Sequence, residues 1–464
     1  MAQAPASTSP DQQGRLFIGL AFVLATAVRA VFALAYPTIH GGDAAARLAH
    51  ADAFLLGYQL PLPQAFVVLA KSQADDPLLA RLIFCGFGGA LASGMTALLA
   101  VAAGSRAALF GALVFAFDPL LVHYSIVPYQ EPLAYALAAW AFFFAASSRP
   151  RIGGALLALA CLCRYEVWLL LPLFFWASRS RAGVLIGALP VGAWVLFWGG
   201  LAPRGLYVLD IDPSADRISR VAYLGSKLVE YETLAVPILA LVALVAAYLE
   251  GARTVLRFAA ALFMVIAVVV AFGHEYPPGS GLMSERLIHL PVILALSLLA
   301  AALARLSLTS RPAFLACAGG VALLAARDLR FERALLKAAA VEPDLALARD
   351  TARAIEAQRR PGECVSVLAP SVDPSLLDAY VSKVASSFGD AEAARARAAN
   401  LAQTSPDRDR IAAHLRARPG TVRAEPGCPL LVLVDAQTQA TEMGTLLAEI
   451  RAGPRRARLL RTRD

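Results

Sequence analysis

Charge is what this sequence is short of. Only 16% of its 464 residues are Asp, Glu, Lys or Arg, against 58% hydrophobic ones, where a soluble protein averages about 25% charged. So few charges exclude an ordinary soluble enzyme and point to a polytopic membrane protein. Cysteine is scarce too, at six. Cys161 and Cys163 are separated by a single residue, which is neither a redox nor a zinc spacing. Cys85, Cys161, Cys163 and Cys317 all lie in apolar runs, where a thiol serves as a small core residue. No HExxH or comparable metal-ligand spacing occurs. The start lacks both a basic n-region and a small-residue cleavage site, so Met1–Gly14 is expected to be a disordered cytoplasmic tail and Arg15 to introduce an uncleaved first span. The net charge of +8 is no nucleic-acid signal, because most basic residues of the apolar part sit in short loops, where they orient helices.

What the sequence has is long apolar stretches, at about 16–37, 77–102, 106–123, 132–147, 152–163, 164–178, 182–201, 233–250, 254–273, 286–305 and 311–327. These make about eleven spans, several shorter than the roughly 20 residues a perpendicular helix needs. The 152–178 run is one tilted helix or a hairpin of two short ones hinged at Cys163-Arg164-Tyr165-Glu166. The hairpin puts Arg106, Arg149 with Arg151, Arg179 with Arg181, Arg253 with Arg257, and Arg305 with Arg311 on one side, which the positive-inside rule makes the cytoplasm. The exterior then collects 40–76, the Asp118–Glu131 turn, Arg164-Tyr165-Glu166, the 203–232 and 274–286 loops and the C-terminal part. Roughly half of the charged residues follow Arg327, so residues 15–327 are expected as a membrane domain and 328–464 as a soluble one. In the latter, a polar helical stretch (331–358), a short strand after Cys364, a helix near 376–384, a helical or irregular stretch at 395–417, a second strand at 429–435 and a helix at 441–452 predict a small parallel α/β domain in the periplasm. Cys364 and Cys428 each stand at a strand start. If the strands are neighbours the two thiols are a disulfide candidate in an oxidising compartment; otherwise they are separate buried thiols.

The stretch around which chemistry gathers is His40-Gly41-Gly42-Asp43-Ala44-Ala45-Ala46-Arg47, directly after the first span. If helical, it presents Asp43, Arg47 and His50 on one face at i, i+4 and i+7. Asp43 is either an N-terminal cap or a base. Leu60-Pro61-Leu62-Pro63-Gln64 stops that helix and starts another. Glu131, before Pro132, gives a second acid at a bundle mouth, where ionisable groups are costly and usually functional. Among the cations, Arg164 interrupts an apolar run and is the first choice for gripping a phosphate, with an ion pair to Glu166 as the alternative. Arg286 sits beside Glu285, Arg47 is placed to hold Asp43, and Lys71 is a solvated charge in a loop with Asp75 and Asp76. His40 and His50 could ligate a divalent metal with Asp43, so a metal is left open. Gly86-Phe87-Gly88-Gly89 lies within a span and is read as helix packing rather than a phosphate loop. The Asp210, Asp212 and Asp216 cluster is a solvated turn or an acceptor contact.

Four of these pieces together resemble the GT-C superfamily of integral membrane glycosyltransferases, in particular the bacterial relatives of protein O-mannosyltransferases and aminoarabinose transferases. They are Gly42-Asp43-Ala44-Ala45-Ala46-Arg47, the proline-marked 60–64 segment, Asp118-Pro119 running through His123-Tyr124-Ser125 to Glu131, and Arg164 with Ser284-Glu285-Arg286-Leu287-Ile288-His289. The resemblance covers about residues 15–310, and the adjacent Asp-Glu pair familiar in the superfamily is absent, since Ala44 follows Asp43. It implies a polyprenyl-phosphate sugar donor, inversion at the anomeric carbon, and a lipid, glycan or protein acceptor outside the cytoplasmic membrane. Asp43 and Glu131 would be catalytic; Arg47, Arg164, Arg286, His40 and Tyr124 would bind substrate. The competing readings are a transporter or lipid flippase without transferase activity, which wants acids near the midplane and an internal repeat, and a membrane scaffold that binds a partner.

Overall fold

The computed structural model describes residues 12–40, 42–49, 51, 60–74, 77–197, 217–232, 241, 288–360, 363, 365–368, 384–386, 430–434, 444–452, 454 and 455–462. The chain packs as two units, Met1–Phe32 with Phe84–Glu332, and Ala33–Ile83 with Arg333–Asp464.

The first unit is helical. Among the described residues four helices are long and apolar enough to cross a membrane: α1 (Gln12–Ala35), α4 (Leu78–Ala103), α12 (His289–Leu306) and α13 (Arg311–Val341). Between them run the shorter α5 (Ser105–Phe117), α6 (Pro119–His123), α7 (Glu131–Ala146), α8 (Pro150–Cys161), a 3-10 turn (Tyr165–Leu169), α9 (Leu170–Ser178), α10 (Arg181–Phe197) and the more polar α11 (Arg217–Glu232). The breaks have identifiable causes. The expected 106–123 span is two helices, because Pro119 removes a backbone donor while the Asp118 carboxylate accepts from the Leu121 N–H at 2.8 Å and starts α6. The 152–178 run is the hairpin of short helices, parted at Leu162–Arg164. The expected spans at 233–250 and 254–273 lie outside the described residues.

Small residues let these helices approach closely. Any Cβ on Gly154 of α8 would strike the Gly183 carbonyl of α10, and one on Gly183 would strike the Pro150 carbonyl. In lipid, where apolar burial gives helices no reason to associate, such backbone contact is the adhesive. Gly154→Ala must push two backbones apart and is expected to cost about 1–3 kcal/mol. Gly192→Ala, on the partner helix α10 but facing open space, is expected to be neutral or stabilising by up to about 1 kcal/mol. Thermal midpoints of the two variants in one detergent test the contrast. In the Gly86–Gly89 run, Gly88 abuts Arg29 and Gly89 abuts Thr26 and the Phe22 carbonyl, so helix packing is its role there; Gly86 meets nothing within 4 Å.

The second unit holds α2 (Gly42–Ala49), α3 (Pro61–Gln73), α14 (Pro343–Gln358) and five strands. Pro61 occupies the first turn of α3, as its sequence requires. Lys71 falls in the last turn of that helix rather than in a loop, a position its charge favours. The expected polar helix 331–358 is interrupted at Glu342-Pro343, where the Glu342 side chain caps the Leu345 N–H.

The sheet runs β2 (Val384–Ser386), β1 (Val365–Leu368), β3 (Leu430–Val434), β5 (Arg455–Thr462), β4 (Gly444–Ala452). β1 pairs in parallel with β2 and β3, whereas β5 is antiparallel to both β3 and β4. The purely parallel expectation is therefore corrected to a mixed sheet, and the helix expected at 441–452 is strand β4. Gly444-Thr-Leu-Leu-Ala-Glu-Ile-Arg-Ala satisfies a helical pattern, but it forms a ladder with the strand after Gly453-Pro454, and tertiary pairing overrides local propensity. Arg451 donates to Glu449, holding its carboxyl below the usual carboxylate range. Val365 stands opposite Leu430, which makes the strands after Cys364 and Cys428 neighbours. Those two cysteines, the helix expected at 376–384 and the helical or irregular stretch at 395–417 lie outside the described residues apart from Val384 itself.

Candidate active site

In the first unit, Pro132 starts α7 and places Glu131 at its head. Arg164 has an extended backbone, φ −147° and ψ 142°, where the chain leaves α8 for the 3-10 turn. The Arg164 guanidinium donates through Nη1 to Glu131 Oε1, and through Nη2 and Nε to the two oxygens of Glu166, the last at 3.0 Å. The side chains of Arg164 and Glu131 are 3% and 1% exposed. Two carboxylates against one guanidinium give this triad a formal charge of −1.

Aromatic rings surround the head of α7. Tyr124 contacts Tyr129, with centroids 4.8 Å apart, and meets the edge of His289 at 4.5 Å. Tyr135, one turn beyond Glu131, also stacks on His289, with centroids 6.2 Å apart. Residues from the Asp118–Glu131 turn, the Arg164 hinge and the head of α12 are thus brought to one end of the bundle. Residues from the loops expected in the cytoplasm also meet one another: Arg106 donates to the Ser307 carbonyl at 2.8 Å, and Pro150 packs on Gly183. An apolar cavity of about 430 Å³ runs among α4, α7, α9 and α12, with Tyr135 and Arg179 among its lining residues.

Sequence reasoning missed Arg29. It is wholly buried, and it donates to the Ala25 and Ala116 carbonyls at 3.0 Å and to the Phe115 carbonyl at 3.2 Å. It thereby caps the C-terminus of α5, where orphan carbonyls and the helix dipole both favour a cation. The signal that singled out Arg164, a cation interrupting an apolar run, was equally present in Ala25-Thr-Ala-Val-Arg29-Ala-Val. Glu332 was missed as well: its carboxylate, 1% exposed, pairs with His123 Nδ1 at 3.1 Å.

The second unit carries the other expected residues. Asp43 lies in the first turn of α2 and Arg47 in its last, so the helix expected here is present and sets the two at i and i+4. Asp43 is half-buried, while Arg47 and His40 are buried. Gln64 donates to the Arg47 carbonyl at 3.1 Å and ties α3 to α2. Arg286, His50, His274 and the Asp210–Asp216 cluster lie outside the described residues. Among the described residues no group of three or more His, Cys, Asp or Glu side chains could hold a metal ion.

No protein-family model matches the sequence, and comparison with curated proteins gives no match either. Solved structures do match. Crystal structures of ArnT from Cupriavidus metallidurans, one bound to undecaprenyl phosphate and one in the apo state, superpose with TM-scores of 0.58 and 0.56 at 14% identity. Each alignment covers 96% of this chain and 97% of ArnT. The fold of the GT-C membrane glycosyltransferases, which the sequence motifs resemble, is therefore the fold this chain has.

Proposed function

We propose that this protein is an inverting glycosyltransferase of a bacterial inner membrane. It moves a sugar from a polyprenyl-phosphate donor to an acceptor on the periplasmic side, where the C-terminal domain of residues 328–464 also lies. The observation that carries the reading is the likeness to ArnT over nearly the whole of both chains, one of those ArnT structures holding undecaprenyl phosphate. The apolar cavity among α4, α7, α9 and α12 suits an isoprenoid tail, being lined mainly by Ala, Leu, Ile, Met and aromatic side chains.

The chemistry follows from what develops during displacement. The acceptor oxygen forms a bond to the anomeric carbon while the bond from that carbon to the phosphate oxygen breaks, and the polyprenyl phosphate leaves with the electron pair. Asp43 takes the proton of the acceptor hydroxyl. Positive charge grows on the sugar, and a preorganised negative field lowers that barrier; the Glu131–Arg164–Glu166 triad, with one carboxylate in excess, supplies it. Because the Arg164 guanidinium is engaged by both carboxylates, its role here is to hold Glu131 ionised. As the family resemblance suggests, Arg47 and Arg286 bind the donor phosphate, and His40 and Tyr124 are further substrate-binding residues. The transporter or flippase reading is not favoured, since the structural matches are to a transferase fold.

The test uses the full chain in lipid nanodiscs with a radiolabelled polyprenyl-phosphate sugar and extracts of periplasmic glycolipid, glycan and protein as acceptors. Label is expected to pass to one acceptor fraction with inverted anomeric configuration and stoichiometric release of polyprenyl phosphate. Translocation of intact donor across liposomes with no sugar transferred would overturn the reading.

A further inference from the structure

The apolar cavity of the first unit has two unlike ends. Near the Glu131–Arg164 pair its wall is made by Tyr135 and Leu170, 4% and 5% exposed. At the other end it reaches Ala102 near the end of α4, Ala146 at the end of α7, and Trp176 and Arg179 at the end of α9. Trp176 is 48% exposed, and Ala146, Ala177 and Arg179 are exposed as well, so access is from this second end. Between Tyr135 and Ala146, α7 rises about 16 Å. That is close to the depth of one leaflet, half of a hydrocarbon core about 30 Å thick.

Four arginines gather at the open end. Arg149 and Arg151 flank the start of α8, Arg179 ends α9 and Arg181 begins α10. The two turns touch, since Gly183 packs against the Pro150 carbonyl. All four arginines are exposed, and no Asp or Glu occurs between Glu131 and Glu166 or between Glu166 and Asp210. Among the described residues none of the four guanidinium groups has an ion-pair or hydrogen-bond partner. Such basic loops orient helices, but orientation does not require a guanidinium in the wall of an apolar cavity, and Arg179 is in that wall. Its backbone is left-handed, φ 53°, at a helix end where glycine is usual. A guanidinium beside an indole, at the mouth of an apolar cavity one leaflet deep, matches a lipid phosphate whose acyl chain lies inside.

We propose that the cavity takes up one acyl chain of an anionic phospholipid from its open end, with the phosphate on Arg179 and the three neighbouring arginines adding attraction. The inference does not depend on the transferase reading; where an isoprenoid tail uses the same cavity, the two lipids exclude one another. Native mass spectrometry of the full chain, released from nanodiscs of equal phosphatidylglycerol and phosphatidylcholine, tests it. Wild-type protein is expected to keep phosphatidylglycerol in preference, and Arg179→Gln to weaken that retention about fivefold. Ala177→Phe, which fills the cavity and leaves every charge in place, is expected to weaken it as much. Glutamine meets the same backbone requirement as arginine at residue 179; Arg181→Gln and Ala102→Phe repeat the two tests if either first variant misfolds. Loss of retention in the arginine variants alone, with the cavity-filled protein binding like wild type, would reduce the arginines to a surface charge and overturn the site. Equal retention of the two phospholipids by wild type would overturn the inference, and added polyprenyl phosphate held in their place would name the true occupant.

Discussion

Asp43→Asn is expected to abolish sugar transfer, by about 10² to 10⁴-fold in turnover, while leaving the donor bound. The substitution keeps size and hydrogen-bonding shape but removes the one capacity the reaction asks of this position, accepting a proton. Structurally it is mild. Asp43 sits in the first turn of an eight-residue helix, where its charge helps the helix dipole by only about 0.3–1 kcal/mol, and an amide is tolerated there almost as well. A folded protein that binds labelled polyprenyl-phosphate sugar but does not release polyprenyl phosphate is the expected outcome. An acceptor with a more acidic hydroxyl should recover part of the loss, because less proton transfer is then needed at the transition state. Wild-type turnover in Asp43→Asn would remove Asp43 from the chemistry and with it the assignment of the first exterior loop.

What the sequence made legible is the part governed by local physics. Apolar runs marked the helices, and Pro61 and Pro132 fall in helix first turns, where their missing N–H costs nothing. Charge alternation selected a hinge at Cys163–Glu166 over a continuous helix, and the chain breaks at Leu162–Arg164. Non-local pairing is where the reading failed. β4 satisfied a helical pattern and became a strand only because β5 lies beside it. Arg164 was weighed between a phosphate and its sequence neighbour Glu166; its partner Glu131 lies 33 residues away, and no spacing rule reaches across that interval. Arg29 is the instructive omission. A guanidinium within the first span, passed over in the sequence, donates to the carbonyls of Phe115 and Ala116, which are 86 and 87 residues distant. The lesson is general for lipid-embedded chains: each interior cation must find oxygen atoms, so every such residue predicts a long-range contact even when its partner cannot be named.

The same requirement sets the second large effect. Arg164→Met is expected to destabilise the protein by about 3–5 kcal/mol, the usual penalty for stranding a buried ion after its partner is removed. Glu131 is 1% exposed and the Glu166 side chain 13%, so water reaches neither well enough to replace the lost guanidinium. Arg164→Lys keeps one charge but not the planar fork that serves two carboxylates at once, and should fall between wild type and Met. The decisive comparison is the triple variant Arg164→Met, Glu131→Gln, Glu166→Gln. It has no buried charge left to strand, so most of the stability should return, whereas transfer should not, because the negative field assigned to the triad is gone. Thermal midpoints in detergent and sugar release, measured on the same four proteins, separate the two roles. Stability and activity recovering together in the triple variant would make the triad a structural clamp with no part in the reaction.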